Sequence, residues 1–221
     1  MPRVPSLAVI AFALVGASAQ AAPIQYTLDA AASALHARTY KAGVASGFAH
    51  DHVIVAPVAA GEVAFDPADP GGFTIDVRID ARALEPDPPA VRRIYGLEGE
   101  IDADDRAEIG KSMRSADQLA VERYPEIRFR STKVSAVAPG RYTVEGQLTL
   151  RGRTRAVSLP VEVEADAQGF TGRGRLRITH AMFGFEPYSA LLGAVKNQEQ
   201  IDLVLRVVAR PVTGSGGPAT R

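Results

Sequence analysis

The chain has 221 residues, with 25 Lys and Arg set against 25 Asp and Glu, so its formal charge at pH 7 is zero. A neutral chain has no global field to draw it onto nucleic acid or an anionic membrane, which argues against partners won by net charge. It contains no cysteine, which removes thiol nucleophiles and thiolate metal sites and leaves stability to an ordinary core.

The first residues read as an export signal. Arg3 precedes an unbroken apolar run from Leu7 to Val15, followed by Gly16, Ala17, Ser18, Ala19, Gln20 and Ala21. Both Ala17-Ser18-Ala19 and Ala19-Gln20-Ala21 fit the small-x-small pattern that signal peptidase accepts. A spanning helix needs ~20 apolar residues, about twice this run, and no later segment is long and apolar enough to be transmembrane. Residues 1–21 are therefore expected to be a cleaved signal peptide and the protein periplasmic. Residues 22–211 form one expected domain. The tail 212–221, with Gly214-Ser215-Gly216-Gly217-Pro218, has no apolar periodicity and is expected to be disordered.

Past the signal, alternation with period two dominates. In Phe73-Thr74-Ile75-Asp76-Val77-Arg78-Ile79-Asp80 every odd position is apolar and every even one polar. Tyr142, Val144, Leu148 and Leu150 alternate with Thr143, Glu145, Gln147 and Thr149; Val157, Leu159, Val161 and Val163 face away from Glu162 and Glu164. Phe170, Leu176 and Ile178 share a parity against Arg173, Arg175 and Arg177, and Ile201, Leu203, Leu205 and Val207 close the series. Strands with one greasy and one wet face belong to an antiparallel sheet. The turns between them include Asp66 to Gly72 and Ala138-Pro139-Gly140-Arg141. The class is all-β, and either a sandwich or a closed barrel would hide the apolar faces.

One excursion breaks the pattern, from Glu85-Pro86-Asp87-Pro88-Pro89 to Tyr124-Pro125. Asp102 is an expected N-cap, with Asp104 and Asp105 in the first turn, where the helix dipole favours acids. Ile109, Met113 and Ala116 then fall on one helical stripe, so a helical insertion is expected to lie across one end of the sheet.

Several strings together carry a family resemblance. They are Tyr26-Thr27-Leu28-Asp29; Gly61-Glu62-Val63-Ala64-Phe65-Asp66-Pro67; Tyr124-Pro125-Glu126-Ile127-Arg128-Phe129-Arg130-Ser131-Thr132; and Leu148-Thr149-Leu150-Arg151-Gly152-Arg153-Thr154-Arg155. The chain resembles the YceI-like family of periplasmic, lipocalin-like, polyisoprenoid-binding proteins over nearly its whole mature length. The resemblance implies an eight-stranded antiparallel barrel with a helical insertion, enclosing a tunnel for an isoprenoid such as a quinone tail. It implies a lipid-binding protein without a cofactor, and not an enzyme. Pattern alone leaves a filled core and a tunnel equally open; the resemblance favours the tunnel. Its lining is then expected to include Phe73, Ile75, Val77, Phe129, Leu148, Leu150, Leu159, Val161, Leu203 and Leu205.

The segment after Leu84 is longer and richer in proline and charge than the family pattern, and the histidines also depart from it. His50 and His52 would share one strand face with Phe48 and Ile54, and His180 shares parity with Ile178. Three imidazoles at one barrel mouth would suit a Zn²⁺ or Cu²⁺ ion, with water or Glu186 in the fourth position. They would equally suit a lipid head group, or a solvated strand end. This defines a second reading: a periplasmic metal- or head-group-dependent protein built on His50, His52 and His180. No nucleophile-elbow or His-Glu-x-x-His string supports catalysis. The segment from Phe183 to Lys196 is apolar without a clean period, which fits a lid or a buried crossover.

Overall fold

The computed structural model describes residues 23–66 and 69–212. The signal expected at residues 1–21 and all but the first residue of the expected tail lie outside that range.

Among the described residues the strands are β1 (Ile24–Leu28), β2 (Ala34–Ala42), β3 (His52–Val55), β4 (Val58–Asp66), β5 (Asp69–Asp80) and β6 (Glu85–Pro86). Helices α1 (Pro89–Ile94) and α2 (Ala103–Arg114) follow, then β7 (Glu126–Ala138), β8 (Arg141–Leu150), β9 (Arg153–Asp166), β10 (Gly169–Thr179), β11 (Ser189–Ala190) and β12 (Val195–Pro211). The order β1-β4-β5-β7-β8-β9-β10-β12 closes on itself because β1 also pairs with β12. The result is an eight-stranded antiparallel barrel. Toward one end, β2, β3 and β6 prolong the walls of β1, β4 and β5: β2 pairs with the first part of β12, β3 with β2, and β6 with β3.

Alternation became walls as expected. Tyr142, Val144, Leu148 and Leu150 on β8, and Val157, Leu159, Val161 and Val163 on β9, are buried at every second position. One strand extends further than its composition suggested. Asp66-Pro67-Ala68-Asp69-Pro70-Gly71-Gly72 reads as a turn, yet β5 begins at Asp69, which pairs with Asp66. Only residues 67–68 connect the two strands.

The two ends of the barrel differ. At one end three hairpins are joined by residue pairs 67–68, 139–140 and 167–168. There Tyr26, Phe65, Phe73, Tyr142 and Phe170 fill the interior. Phe73 is the hub, its ring centroid 5.1 Å from Tyr142, 5.8 Å from Phe170 and 6.5 Å from Phe65. Such tilted and edge-on packing suits the aromatic quadrupole. The Tyr26 hydroxyl donates to the Asp166 carbonyl at 2.7 Å, so the plug brings its own polar partner.

The opposite end carries the long connections 43–51, 81–125 and 180–194. Helix α2 starts where expected, with the Asp102 carboxylate accepting from the Asp105 N–H at 2.8 Å. It stops at Arg114, so Ala116 is not on the helical stripe. The shorter α1 was not anticipated; Pro89 at its first position supplies a preset helical φ. The one tight turn at this end is Arg151-Gly152, whose φ values of 51° and 67° match a primed hairpin turn. A side chain at Gly152 would meet the Tyr124 ring at 2.4 Å, so only glycine fits.

Candidate ligand-binding cavity

Between the aromatic plug and the long loops lies a cavity of about 690 Å³. Ile75 and Val77 on β5, Phe129 on β7, Leu148 and Leu150 on β8, Leu159 and Val161 on β9, and Leu203 and Leu205 on β12 line it. Phe73 faces inward as well, but as part of the plug beneath the cavity and not on its wall. From the insertion, Ile101, Ile109, Met113 and Leu119 complete the apolar lining.

The space exists because some inward positions carry almost no side chain. On β10 the inward series reads Phe170, Gly172, Gly174, Leu176, Ile178, and both glycines line the cavity. Ala37 and Ala56 do the same on the wall built from β2 and β3. Large residues at these points would have extended the plug upward into a solid core. Sequence reading marked Phe170, Leu176 and Ile178 and passed over the glycines between them, although Gly-x-Gly in inward phase was the legible sign of a hollow wall.

Polar groups gather at the open end. His50, His52 and His180 all line the cavity, together with Thr39, Gln118, Tyr188 and Asn197. They do not form the expected cluster. His50 is not on a strand: the chain makes a 3-10 turn over Ser46–Phe48, and β3 begins only at His52. His50 packs instead against Gly99, where a side chain would lie 2.9 Å from the ring. His52 and His180 are held by β3 and by the end of β10, with β2 and β12 between them. Three strand spacings of roughly 4.8 Å put their backbones about 14 Å apart along the wall. One metal ion requires ligand atoms each ~2 Å from it. Among the described residues no three His, Asp or Glu side chains are placed to hold a metal ion. Glu186, offered as a fourth ligand, does not line the cavity.

Each ring has its own anchor. His180 is buried, its Nδ1 donates to the Glu199 carbonyl at 2.8 Å, and the ring meets Phe185 edge-on at 4.9 Å. His52 Nδ1 donates to Asp87 Oδ2 at 2.6 Å. Asp87 is fully buried and also accepts from the Val53 N–H at 3.0 Å and from Arg92 at 2.8 Å. Arg92, itself buried, also donates to the carbonyls of Asp51, Glu98 and Gly99 at 2.8–3.0 Å. Burial alone would push the Asp87 carboxyl up. The His52 hydrogen bond and charge, the Val53 N–H and Arg92 outweigh it and hold the group below the ordinary carboxylate range.

This Asp87–Arg92–His52 network was missed in the sequence. Its trace was an acid wedged between prolines in Pro86-Asp87-Pro88, five residues before an arginine, in the segment that departs from the family pattern. Asp87 has a φ of 50°, a conformation that a short polar side chain tolerates better than most. The network ties the insertion to β3 and fixes the His52 ring. Among the described residues, no hydrogen bond engages Nε2 of His52 or His180. In the neutral ring, a proton fixed on Nδ1 makes Nε2 an acceptor.

The segment Phe183 to Lys196 divides. Phe183 and Phe185 are buried against Leu148, Leu150 and Ile201, while Leu191 and Leu192 project into solvent.

A family model described as the YceI-like domain matches residues 26–209. The chain belongs to the YceI-like family. Curated relatives include a UPF0312 protein of Vibrio cholerae, 29% identical over 126 residues, which span 53% of this chain and 57% of that one. A UPF0312 protein of Shewanella baltica is 24% identical over 159 residues, 68% of this chain and 71% of its own. The chain thus spans little more than half the length of the V. cholerae relative. Among solved structures, Burkholderia cenocepacia BcnA superposes with a TM-score of 0.57 at 18% identity, covering 82% of this chain and 98% of that one. At that identity the likeness shows a shared fold. No helix among the described residues is long and apolar enough to cross a membrane.

Proposed function

We propose that the protein is a periplasmic carrier that holds the tail of one isoprenoid-type lipid in the barrel cavity and acts by binding, not by catalysis. The observation that carries this is the unfilled, apolar interior of about 690 Å³, closed at one end by aromatic rings. That volume falls in the range of ~300–1,000 Å³ typical of small-molecule sites. The lining residues contributed by β5, β7, β8, β9 and β10 are apolar side chains or glycine, as suits a tail that has nothing to hydrogen-bond. The branched side chains of Ile75, Val77, Leu148, Leu159 and Val161 give it instead a knobbed surface against which a methyl-branched chain packs closely.

His52 and His180 support a head group at the open end. When the ring is neutral, Nε2 of each offers an acceptor, which matches the hydroxyl of a prenol or quinol better than a quinone carbonyl. The His52–Asp87 pair has the look of a catalytic dyad, yet among the described residues no Ser, Thr or Tyr hydroxyl is hydrogen-bonded to either histidine Nε2. Export through residues 1–21 is part of the same proposal.

Organic extraction of the purified protein, followed by mass spectrometry, tests the reading. An isoprenoid present near one per barrel is the expected result, and Leu148→Asp should abolish it. Recovery of straight-chain lipids only, or of none after exposure to prenols and quinols, overturns it.

A further inference from the structure

We propose that the hairpin of β11 and the start of β12 is a docking finger that seats the open end of the barrel on a lipid surface carrying anionic head groups. Its loop runs Leu191-Leu192-Gly193-Ala194 between the paired residues Ala190 and Val195. Leu191 is 74% exposed and Leu192 fully so, and Val44 on the neighbouring loop is 98% exposed. The two loops are fastened together: the Ala45 N–H donates to the Ala194 carbonyl at 2.9 Å, and the Ala194 N–H to the Leu191 carbonyl at 3.1 Å. The three apolar side chains therefore sit on one rim.

Folding does not account for them. Leu191 and Leu192 have φ values of 50° and 53°, a left-handed region that asparagine or glycine enters with less strain. A strained and exposed leucine pair works against both stability and solubility, so its apolar surface points outward to a partner. A lipid surface fits that partner better than a protein does. The apolar exposure here amounts to three side chains on two loops, whereas a protein interface needs a broad complementary patch.

Charge agrees. Lys41 and Lys196 are exposed at the strand ends beneath the tip, and neither makes an ion pair among the described residues. Asp51 and Glu199 accept backbone hydrogen bonds, from the Lys41 N–H at 2.9 Å and the Ala181 N–H at 2.7 Å, and neither forms an ion pair with Lys41 or Lys196 among the described residues. Apolar side chains flanked by lysines are the pattern of attachment to an anionic interface. Tyr188, just before the hairpin, is 42% exposed and also lines the cavity, so the finger is continuous with the open end. Docking is a property of this rim by itself; that it serves loading and unloading rests on the carrier reading above.

Sedimentation with vesicles of phosphatidylglycerol and phosphatidylcholine tests it, using delipidated protein without residues 1–21, which lie outside the described barrel. The protein should bind. Leu191→Asn combined with Leu192→Gly should weaken binding about tenfold or more while leaving the thermal midpoint unchanged or higher, because backbone strain is relieved. The chain has no tryptophan, so Leu192→Trp gives a lone reporter whose emission should shift to the blue on vesicles. Failure of the wild type to sediment, a double variant that binds equally well, or an unshifted Trp emission overturns the proposal. A protein that docks but extracts without isoprenoid keeps the finger and loses the carrier reading; one that carries isoprenoid but ignores vesicles does the reverse.

Discussion

The two ends of this barrel are built on opposite plans from the same alternating strands. At the closed end, two-residue hairpins bring β4 and β5, β7 and β8, and β9 and β10 together, and aromatic rings fill the space between them. Midway along the barrel the inward positions shrink to Gly172, Gly174, Ala37 and Ala56; at the open end the strands give way to long loops, and order is kept by a buried ionic network. Alternation decides that there is a wall. The size of each inward residue decides whether that wall encloses a core or a space. The closed end is therefore expected to be held by packing, and the open end to combine ligand recognition with a buried ionic network.

The sharpest way to break this division is to weaken the open end without touching its lining. Arg92→Ala strands the buried Asp87 carboxylate and frees the insertion, and should destabilise the fold by about 3–5 kcal/mol. Chemical denaturation checks it; a change below 1 kcal/mol, on the order of a surface pair, would show that the network is dispensable. Phe73→Ala should cost a similar ~3–5 kcal/mol through the cavity it opens at the hub of the plug. Unlike Arg92→Ala, it should lengthen the bound ligand recovered by extraction, because the floor retreats.

Acid should act on the two ends unequally. The lowered pKa of Asp87 means that the unfolded chain takes up its proton first, so the pair stabilises the fold above the ordinary carboxylate pKa of ~4. That contribution is lost as pH falls through the lower folded value. On the barrel exterior Asp76 behaves likewise, held down chiefly by its hydrogen bond to Arg128. His36 is depressed by burial, so it favours the fold fully above its ordinary ~6.5 and less as pH drops below that. Melting curves between pH 3 and pH 8 in about half-unit steps should show stability falling in both windows. In Arg92→Ala the acid step should change and the near-neutral one should remain. The smallest effect expected is for His180→Phe, which removes one head-group acceptor: ligand affinity should fall by about 1 kcal/mol, or roughly fivefold, with little change in melting. Titration with a prenol and with its methyl ether separates this from lost packing, since only the free hydroxyl has a proton to give.

What was legible in the chain follows the same division. Walls were readable, because burial on one face imposes period two on β5, β8, β9, β10 and β12. The helix start at Asp102 was readable from its cap. The ends were not. His50 and His52 look like one strand face, but the 3-10 turn at Ser46–Phe48 and the close approach of Gly99 set His50 apart, and neither leaves a periodic trace. The Asp87–Arg92 pair depends on a loop that returns to β3, and such a contact is specified by tertiary packing more than by local pattern. The plug and the cavity wall share one phase along β5, so Phe73 and Ile75 differed in role without differing in pattern.

The aromatic floor has a consequence for traffic. With Phe73 and its neighbours sealing one end, a chain that enters the barrel must leave by the way it came, last atom in and first atom out. Its polar end stays at the rim throughout, and the depth to the rings acts as a ruler: tails that fit are swallowed whole, while longer ones stand out from the opening. Residence time then grows with the length of tail withdrawn. A barrel open at both ends would let its guest slide through; on the carrier reading, this one would act as a sheath.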